Sequence, residues 1–332
     1  MKKVMFRYLS QEDIMKIKLP YEEIIKIVES AMLSKGKDMV ECPPKPGVHT
    51  RSNTFLHAMP AFIKDQDICG MKWVCGYPEN YRYDLPQIAG VLVYNSPETG
   101  MPLSIMDCRW ITAVRTAAVS AVTAKYCKPK KAETLTIIGA GVQARVHAIM
   151  LKIVAPEIKK IYISDVKPTA EDKFIHDMTG KVDAEFIRVV DQKEAIKVAD
   201  ILLTATQRIE KPIIYKELLK PGMLGLALEA SRAWDGKTIL GVDKYITDDW
   251  ELTKSYKAQG AFPDGLPDKH STLGKIIAGT EQGREGENDI ILAINEGMAI
   301  SDIAVAEILY RRAEEKGIGQ LLTLMEKEEI LY

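Results

Sequence analysis

Thr134–Ala148 reads TLTIIGAGVQARVHA. An aliphatic run ends at Gly139, and the residues from Val142 onward contain no Gly or Pro, so strand, glycine turn and helix follow in that order. Gly139, Gly141 and Ala144 fit the pattern G-x-G-x-x-G/A. The first Gly permits the tight turn, the second lets the backbone approach a pyrophosphate, and a small third residue lets helix and strand pack closely. The helix start then offers unpaired N–H groups and a positive dipole end to phosphate oxygens. Gly139, Gly141, Val142, Gln143 and Ala144 are therefore the candidate cofactor-binding loop.

A glycine pattern alone is weak evidence. Here the next strand, KIYISD, ends at Asp165, 24 residues after Gly141, where an acid holds the adenosine ribose hydroxyls. The same carboxylate repels a 2′-phosphate, so NAD(H) is expected over NADP(H), with Lys167 as a partial offset. Thr204, Ala205 and Thr206, at the end of a later strand, are expected near the nicotinamide half.

Strand and helix alternate on from this point. The strands are TLTIIGA, KIYISD, AEFIRVV, ILLTAT, MLGLAL and KYITDD, with helical segments such as QARVHAIMLKIV and QKEAIKVA between them. This alternation implies an α/β domain whose parallel sheet is covered on both faces. Upstream, Trp110–Lys128 is alanine-rich and free of Gly and Pro, a long helix expected to bridge two domains. Residues 1–110 differ in texture: a helix over Pro20–Gly36, strand-like runs TFLHAMPAFI, ICGMKWVCGY and QIAGVLVYNS, and a hairpin turn at Asn95–Gly100. The tail Ala299–Glu329 reads as helical and is expected to return to the first domain.

The 332 residues suffice for about two domains. With 46% apolar residues, 27% charged residues and a net charge of −1, the composition is that of a globular chain, and nucleic-acid binding is disfavoured. No apolar stretch reaches the roughly 18 residues of a membrane span, and the N-terminus lacks a signal-peptide core. These features point to the cytoplasm. Five cysteines without a CxxC pair and only five histidines give no metal pattern.

The stretch Leu226–Ile239, LALEASRAWDGKTI, poses the chemical question. A buried-type strand ends in Glu229, Ser231, Arg232, Trp234 and Asp235, and strand ends in α/β proteins face clefts. Trp73, Tyr77 and Trp234 read as core residues. Lys72 is conspicuous in the apolar run GMKWV, because a buried lysine is costly unless paired or working.

Four segments, Gly70–Val74, Glu98–Ala118, Ile137–His147 and Gly283–Ala306, together resemble the ornithine cyclodeaminase/μ-crystallin family over nearly the whole chain. The resemblance implies a Rossmann NAD-binding domain, residues 116–307. It also implies a second α+β substrate-binding and dimerisation domain built from both chain ends, residues 1–115 and 308–332. It makes Lys72 the catalytic lysine, Arg115 the carboxylate-binding arginine, Asp302 an acid near the nicotinamide, and Thr116 a cofactor neighbour. A second family cation maps to PPKPGVHTR, where Lys45 replaces an arginine and Arg51 is the other possibility. Cyclodeaminases carry an aspartate where this chain has Ser231. Ser231 and Arg232 instead resemble the μ-crystallin type, with Glu229 or Asp235 as alternative sources of a carboxylate.

The implied activity is an NAD(H)-dependent oxidoreductase at the Cα–N bond of a small amino or imino acid, with a homodimer expected. The alternatives are ornithine cyclodeaminase, which recycles NAD while converting L-ornithine to proline and ammonia, and a non-enzymatic ligand-binding protein.

Overall fold

The computed structural model describes residues 3–207 and 209–326. In chain order, the first part forms β1 (Val4–Leu9), α1 (Gln11–Ile17), α2 (Tyr21–Gly36), β2 (Val40–Glu41), β3 (Gly47–Val48), β4 (Phe55–Ile63), β5 (Ile68–Gly76), β6 (Ile88–Asn95), β7 (Pro102–Asp107) and α3 (Arg109–Cys127). The middle forms β8 (Thr134–Ile138), α4 (Val142–Val154), β9 (Lys160–Ser164), α5 (Pro168–Met178), β10 (Glu185–Arg188), α6 (Gln192–Lys197), β11 (Ile201–Thr204), β12 (Leu224–Ala227), α7 (Gly236–Leu240), β13 (Lys244–Thr247), α8 (Trp250–Ala258), β14 (His270–Thr272), α9 (Leu273–Ile277) and β15 (Ile291–Ile294). The chain closes with α10 (Ala299–Lys316) and β16 (Gln320–Met325).

Two compact units result. One takes the described residues up to Ser34, Asp38–Arg115 and the described residues from Met298 onward, and the other takes those of Lys35–Lys37 and Thr116–Gly297. The first boundary falls inside α3, between Arg115 and Thr116. The second falls ahead of α10, whereas the sequence reading put it at 307/308, inside that helix. The structure keeps α10 whole, as one continuously hydrogen-bonded element.

The first unit is a sheet in the order β16-β1-β7-β6-β5-β4-β2, with β3 also on β4. Strands β4 to β7 run antiparallel, and α10 packs on β4, β5 and β6. Residues directly opposite one another share a face. Leu9, Met106, Leu92, Lys72 and Met59 thus form one row across five strands, each at most 4% exposed. The reverse face is only partly covered: Tyr8, Trp73 and Val91 are 37%, 36% and 39% exposed. Trp73 is therefore not core, because alternation along β5 turns it away from Lys72.

The tail is corrected beyond α10. Gly317 takes a left-handed conformation (φ 64°) and ends the helix, and Gln320–Met325 then pairs antiparallel with β1 as an edge strand. Its residues were read as helical, and part of that reading, from 327 on, lies outside the described residues. Val4–Leu9, Pro102–Asp107 and Ile291–Ile294 are further strands that the pattern reading did not single out.

The second unit is an all-parallel sheet in the order β10-β9-β8-β11-β12-β15-β13-β14. Its central strands β8, β11, β12 and β15 are largely aliphatic and buried, as a sheet covered on both faces requires. The strand order reverses between β8 and β11, and ligands bind beyond the carboxyl ends of strands at such a switch point. Among the described residues, no helix is long and apolar enough to cross a membrane.

Candidate active site

In the first unit, Lys72 is the one charged member of its row and is 1% exposed. Its ammonium donates to Oδ1 of Asp302 at 2.7 Å. Asp302 lies in the first turn of α10 and is fully buried. A buried ammonium costs several kcal/mol if unpaired, so this contact explains how the strand tolerates the lysine. Burial lowers the Lys72 pKa to about 8, with the charge of Asp302 opposing that fall and Arg115 adding to it.

Arg115 is buried on α3 and donates from Nε to the same Asp302 oxygen at 3.1 Å. Its two terminal nitrogens make no hydrogen bond among the described residues. Oδ2 of Asp302 also has no hydrogen-bond partner there. Two cations thus share one carboxylate oxygen, while a guanidinium fork and a second carboxylate oxygen stay unspent. Cys108 lies in the same surroundings, where burial pushes its thiol up to about 12.

In the second unit, the glycine loop joins β8 to α4. Gly139 has φ 100°, and a Cβ there would sit 2.5 Å from the Ala205 carbonyl oxygen, so only glycine fits. A Cβ on Gly141 would meet no atom within 4 Å, which leaves the backbone open to a ligand. Ala144 is fully buried against the sheet. Val142 is 59% exposed at the helix start. The Asp165 carboxylate accepts from the Ala140 N–H at 2.8 Å and the Lys167 N–H at 2.9 Å. The residues present thus fit a dinucleotide: an open glycine turn, a free helix N-terminus and an acid at the end of β9. Thr116 is half-buried where α3 enters this unit.

The turn after β12 sorts its polar residues. Ala230 takes φ 55° and reverses the chain. Asp235 caps α7, accepting from the Thr238 N–H at 3.2 Å. Ser231 Oγ accepts from the Phe262 N–H at 3.2 Å. Arg232 points to solvent. Glu229 alone turns back to the strand ends. It accepts from Thr204 Oγ1 at 2.5 Å and from the Thr206 N–H at 3.3 Å. Thr204 Oγ1 in turn accepts from Trp234 Nε1 at 3.1 Å, and Trp234 is buried core as expected. Desolvation raises the Glu229 pKa to about 7.

The Lys45–Arg51 segment lies along β4. Arg51 is exposed and donates to the Thr50 carbonyl at 2.7 Å. Lys45 is half-buried near His57. His57 itself escaped the sequence reading. Its place in β4 puts it on the same sheet face as Lys72. Its ring stacks on Phe55 at 4.4 Å and covers Gly47. Burial, followed by the charges of Lys45, His49 and Lys72, lowers its pKa to about 4. The signal available was a lone histidine in an alternating strand, too little to rank it.

Comparison with known proteins then places this chain. The pattern that defines the ornithine cyclodeaminase/mu-crystallin family matches residues 4–317. The nodulation efficiency protein NfeD of Rhizobium meliloti is 33% identical over 318 residues, covering 96% of this chain and 98% of that protein. The Thermococcus litoralis Δ1-pyrroline-2-carboxylate reductase, solved with NADH and L-proline, superposes with TM-score 0.86 at 30% identity, covering 95% of this chain and 99% of the other. An archaeal alanine dehydrogenase dimer with bound NAD superposes with TM-score 0.86 at 29% identity, covering 97% and 100%.

Proposed function

The chain belongs to the ornithine cyclodeaminase/mu-crystallin family, and from that membership and the site geometry we propose that it is an NAD(H)-dependent oxidoreductase acting at the Cα–N bond of a small amino or imino acid. The observation that carries this reading is the buried Lys72–Asp302–Arg115 cluster. When bound, a nicotinamide supplies hydride to Cα or takes it away. This chain's residues do the rest.

The free terminal nitrogens of Arg115 hold the substrate carboxylate in a two-pronged contact. Lys72, with a pKa near working pH, gives a proton to the nitrogen in reduction and takes one in oxidation. Oδ2 of Asp302 accepts from the substrate N–H, while Oδ1 keeps both cations in place. Lys45 adds positive charge to the carboxylate end. In the second unit, the glycine loop takes the pyrophosphate and Asp165 the ribose hydroxyls, which selects NAD(H) over NADP(H). Glu229, linked to Thr204 and Thr206, borders the nicotinamide half.

A pyrroline-2-carboxylate reductase and an alanine dehydrogenase both work at a Cα–N bond, which supports this substrate class. A cyclodeaminase must also receive a second, cationic amine. Asp235 is committed to capping α7 and Ser231 to the Phe262 N–H, which favours net oxidation or reduction. The half-covered sheet face with Tyr8, Trp73 and Val91 supports a homodimer through the first unit, as does the dimeric alanine dehydrogenase. A cytoplasmic setting belongs to the same reading, with none of the five cysteines in a disulfide.

The test is an activity panel. NADH consumption is followed with pyrroline-2-carboxylate, piperideine-2-carboxylate, and pyruvate with ammonia, beside an arm with NAD⁺ and L-ornithine. Turnover of one imino acid is expected. Proline formed from ornithine without NADH accumulation would establish the cyclodeaminase instead.

A further inference from the structure

We infer that Arg145 is the positioning residue that aims the dinucleotide loop, by holding the carbonyls of Ala140 and Gly141 so that the following N–H groups face the pyrophosphate. The inference rests on the dinucleotide reading above and names a residue that neither the glycine pattern nor the comparisons assign.

Arg145 stands in the first turns of α4, and helical side chains lean toward their N-terminus. Its Nη1 donates to the Ala140 carbonyl at 2.6 Å and to the Gly141 carbonyl at 2.9 Å. A trans peptide is planar, with its C=O and N–H pointing in opposite directions, and the described residues contain no cis peptide. Turning those two carbonyls toward Arg145 therefore turns the N–H groups of Gly141 and Val142 away from it. Among the described residues, neither N–H has a partner. They point out where Gly141 leaves open space.

The guanidinium is itself fixed from α5. Nε donates to Asp177 Oδ2 at 2.8 Å, and the group lies 5.7 Å from the centroid of the buried Phe174 ring. The other side of the loop is fixed by β9, since Gly139 N–H donates to the Ser164 carbonyl at 2.7 Å and Ala140 N–H to Asp165. The N–H groups of Gly139 and Ala140 and the carbonyls of Ala140 and Gly141 are thus held, while the N–H groups of Gly141 and Val142 stay open to a ligand. A donor held in advance binds an anion without the entropy of ordering the loop first.

The experiment is a titration of NADH fluorescence with the full chain, for wild type, Arg145→Met, Arg145→Lys and Asp177→Ala, with thermal melts alongside. Arg145→Met is expected to raise the NADH Kd about 10- to 100-fold, and Arg145→Lys, which restores one donor, to recover part of it. Asp177→Ala, which keeps the guanidinium but releases it, is expected to raise Kd roughly three- to tenfold. The losses should be the same in low and high salt, since the carbonyl contacts act on loop shape. Wild-type affinity in both Arg145→Met and Asp177→Ala overturns the inference, even if their melting points fall, because that is a purely structural role. A loss that disappears in high salt also overturns it, in favour of direct attraction to the phosphates. Should Arg145→Met fail to fold, Asp177→Ala decides alone. A wild-type chain that does not bind NADH overturns the cofactor reading itself, an outcome distinct from equal binding by wild type and variants.

Discussion

Lys72 Nζ and Arg115 Nε converge on a single oxygen, Oδ1 of Asp302, at 2.7 and 3.1 Å. One carboxylate thus compensates two buried cations, and the cluster keeps a net positive charge. Such a site attracts a carboxylate substrate and lowers the proton affinity of the lysine in the same stroke.

Asp302→Asn keeps the shape and removes the charge. Turnover is expected to fall about 10²- to 10⁴-fold, and stability by about 3–5 kcal/mol, the cost of leaving a buried charge unpaired. The double variant Lys72→Met/Asp302→Asn should be more stable than Asp302→Asn alone, as thermal melts of the cycle will read. Equal or additive losses would mean that the pair is not coupled.

The pH dependence follows from Lys72. With a pKa of about 8, it is protonated below that pH and neutral above it. Imine reduction needs the protonated form, so kcat/KM in the reductive direction should be level below about pH 8 and fall about tenfold per pH unit above it. Amine oxidation needs the neutral form and should show the mirror-image profile. Opposite limbs in the two directions, measured on one substrate pair, check the assignment.

Asp165→Ala should narrow the preference for NADH over NADPH, because it removes the charge that repels a 2′-phosphate. It also removes the acceptor of the Ala140 N–H, so NADH affinity itself should fall, by about tenfold. Kd values for both nucleotides read the two effects separately.

Glu229 keeps its proton up to about pH 7 in the fold, against an ordinary value of 4.5. The folded chain then binds more protons than the unfolded chain between those values. The stability from this group is fully present below pH 4.5 and is lost as pH rises through 7. Glu229→Gln removes that loss, so its melting point relative to wild type should rise from pH 5 to pH 8. A constant difference would place the Glu229 proton elsewhere.

The nucleotide half was legible because its signals are local. Gly139, Gly141, Ala144 and Asp165 lie within one strand–turn–helix–strand run. Lys72 was conspicuous as a lysine in an apolar strand, but its partner was not legible, since Asp302 is 230 positions away and meets it only because α10 packs on β5. The strand Gln320–Met325 was misread for the same reason. Its pairing partner is β1 at the other chain end, and leucines in a short run suit helix or strand equally. Asp235 and Glu229 were equal candidates for a carboxylate, and the turn with left-handed Ala230 leaves Glu229 at the strand ends and Asp235 on the cap of α7. Arg145 was invisible because the contacts that hold the loop are with the backbone carbonyls of Ala140 and Gly141, which no residue pattern displays.

The most direct measurement of the central claim is the fate of a labelled hydride. The chain is supplied with C4-deuterated NADH and each imino acid of the panel, and the product is analysed by NMR. The account predicts one deuterium at Cα of the amino-acid product, in stoichiometry with NADH consumed, and its loss in Lys72→Met with NADH binding intact. NADH that binds but transfers no deuterium to any imino acid, or transfer that survives without Lys72, would contradict it.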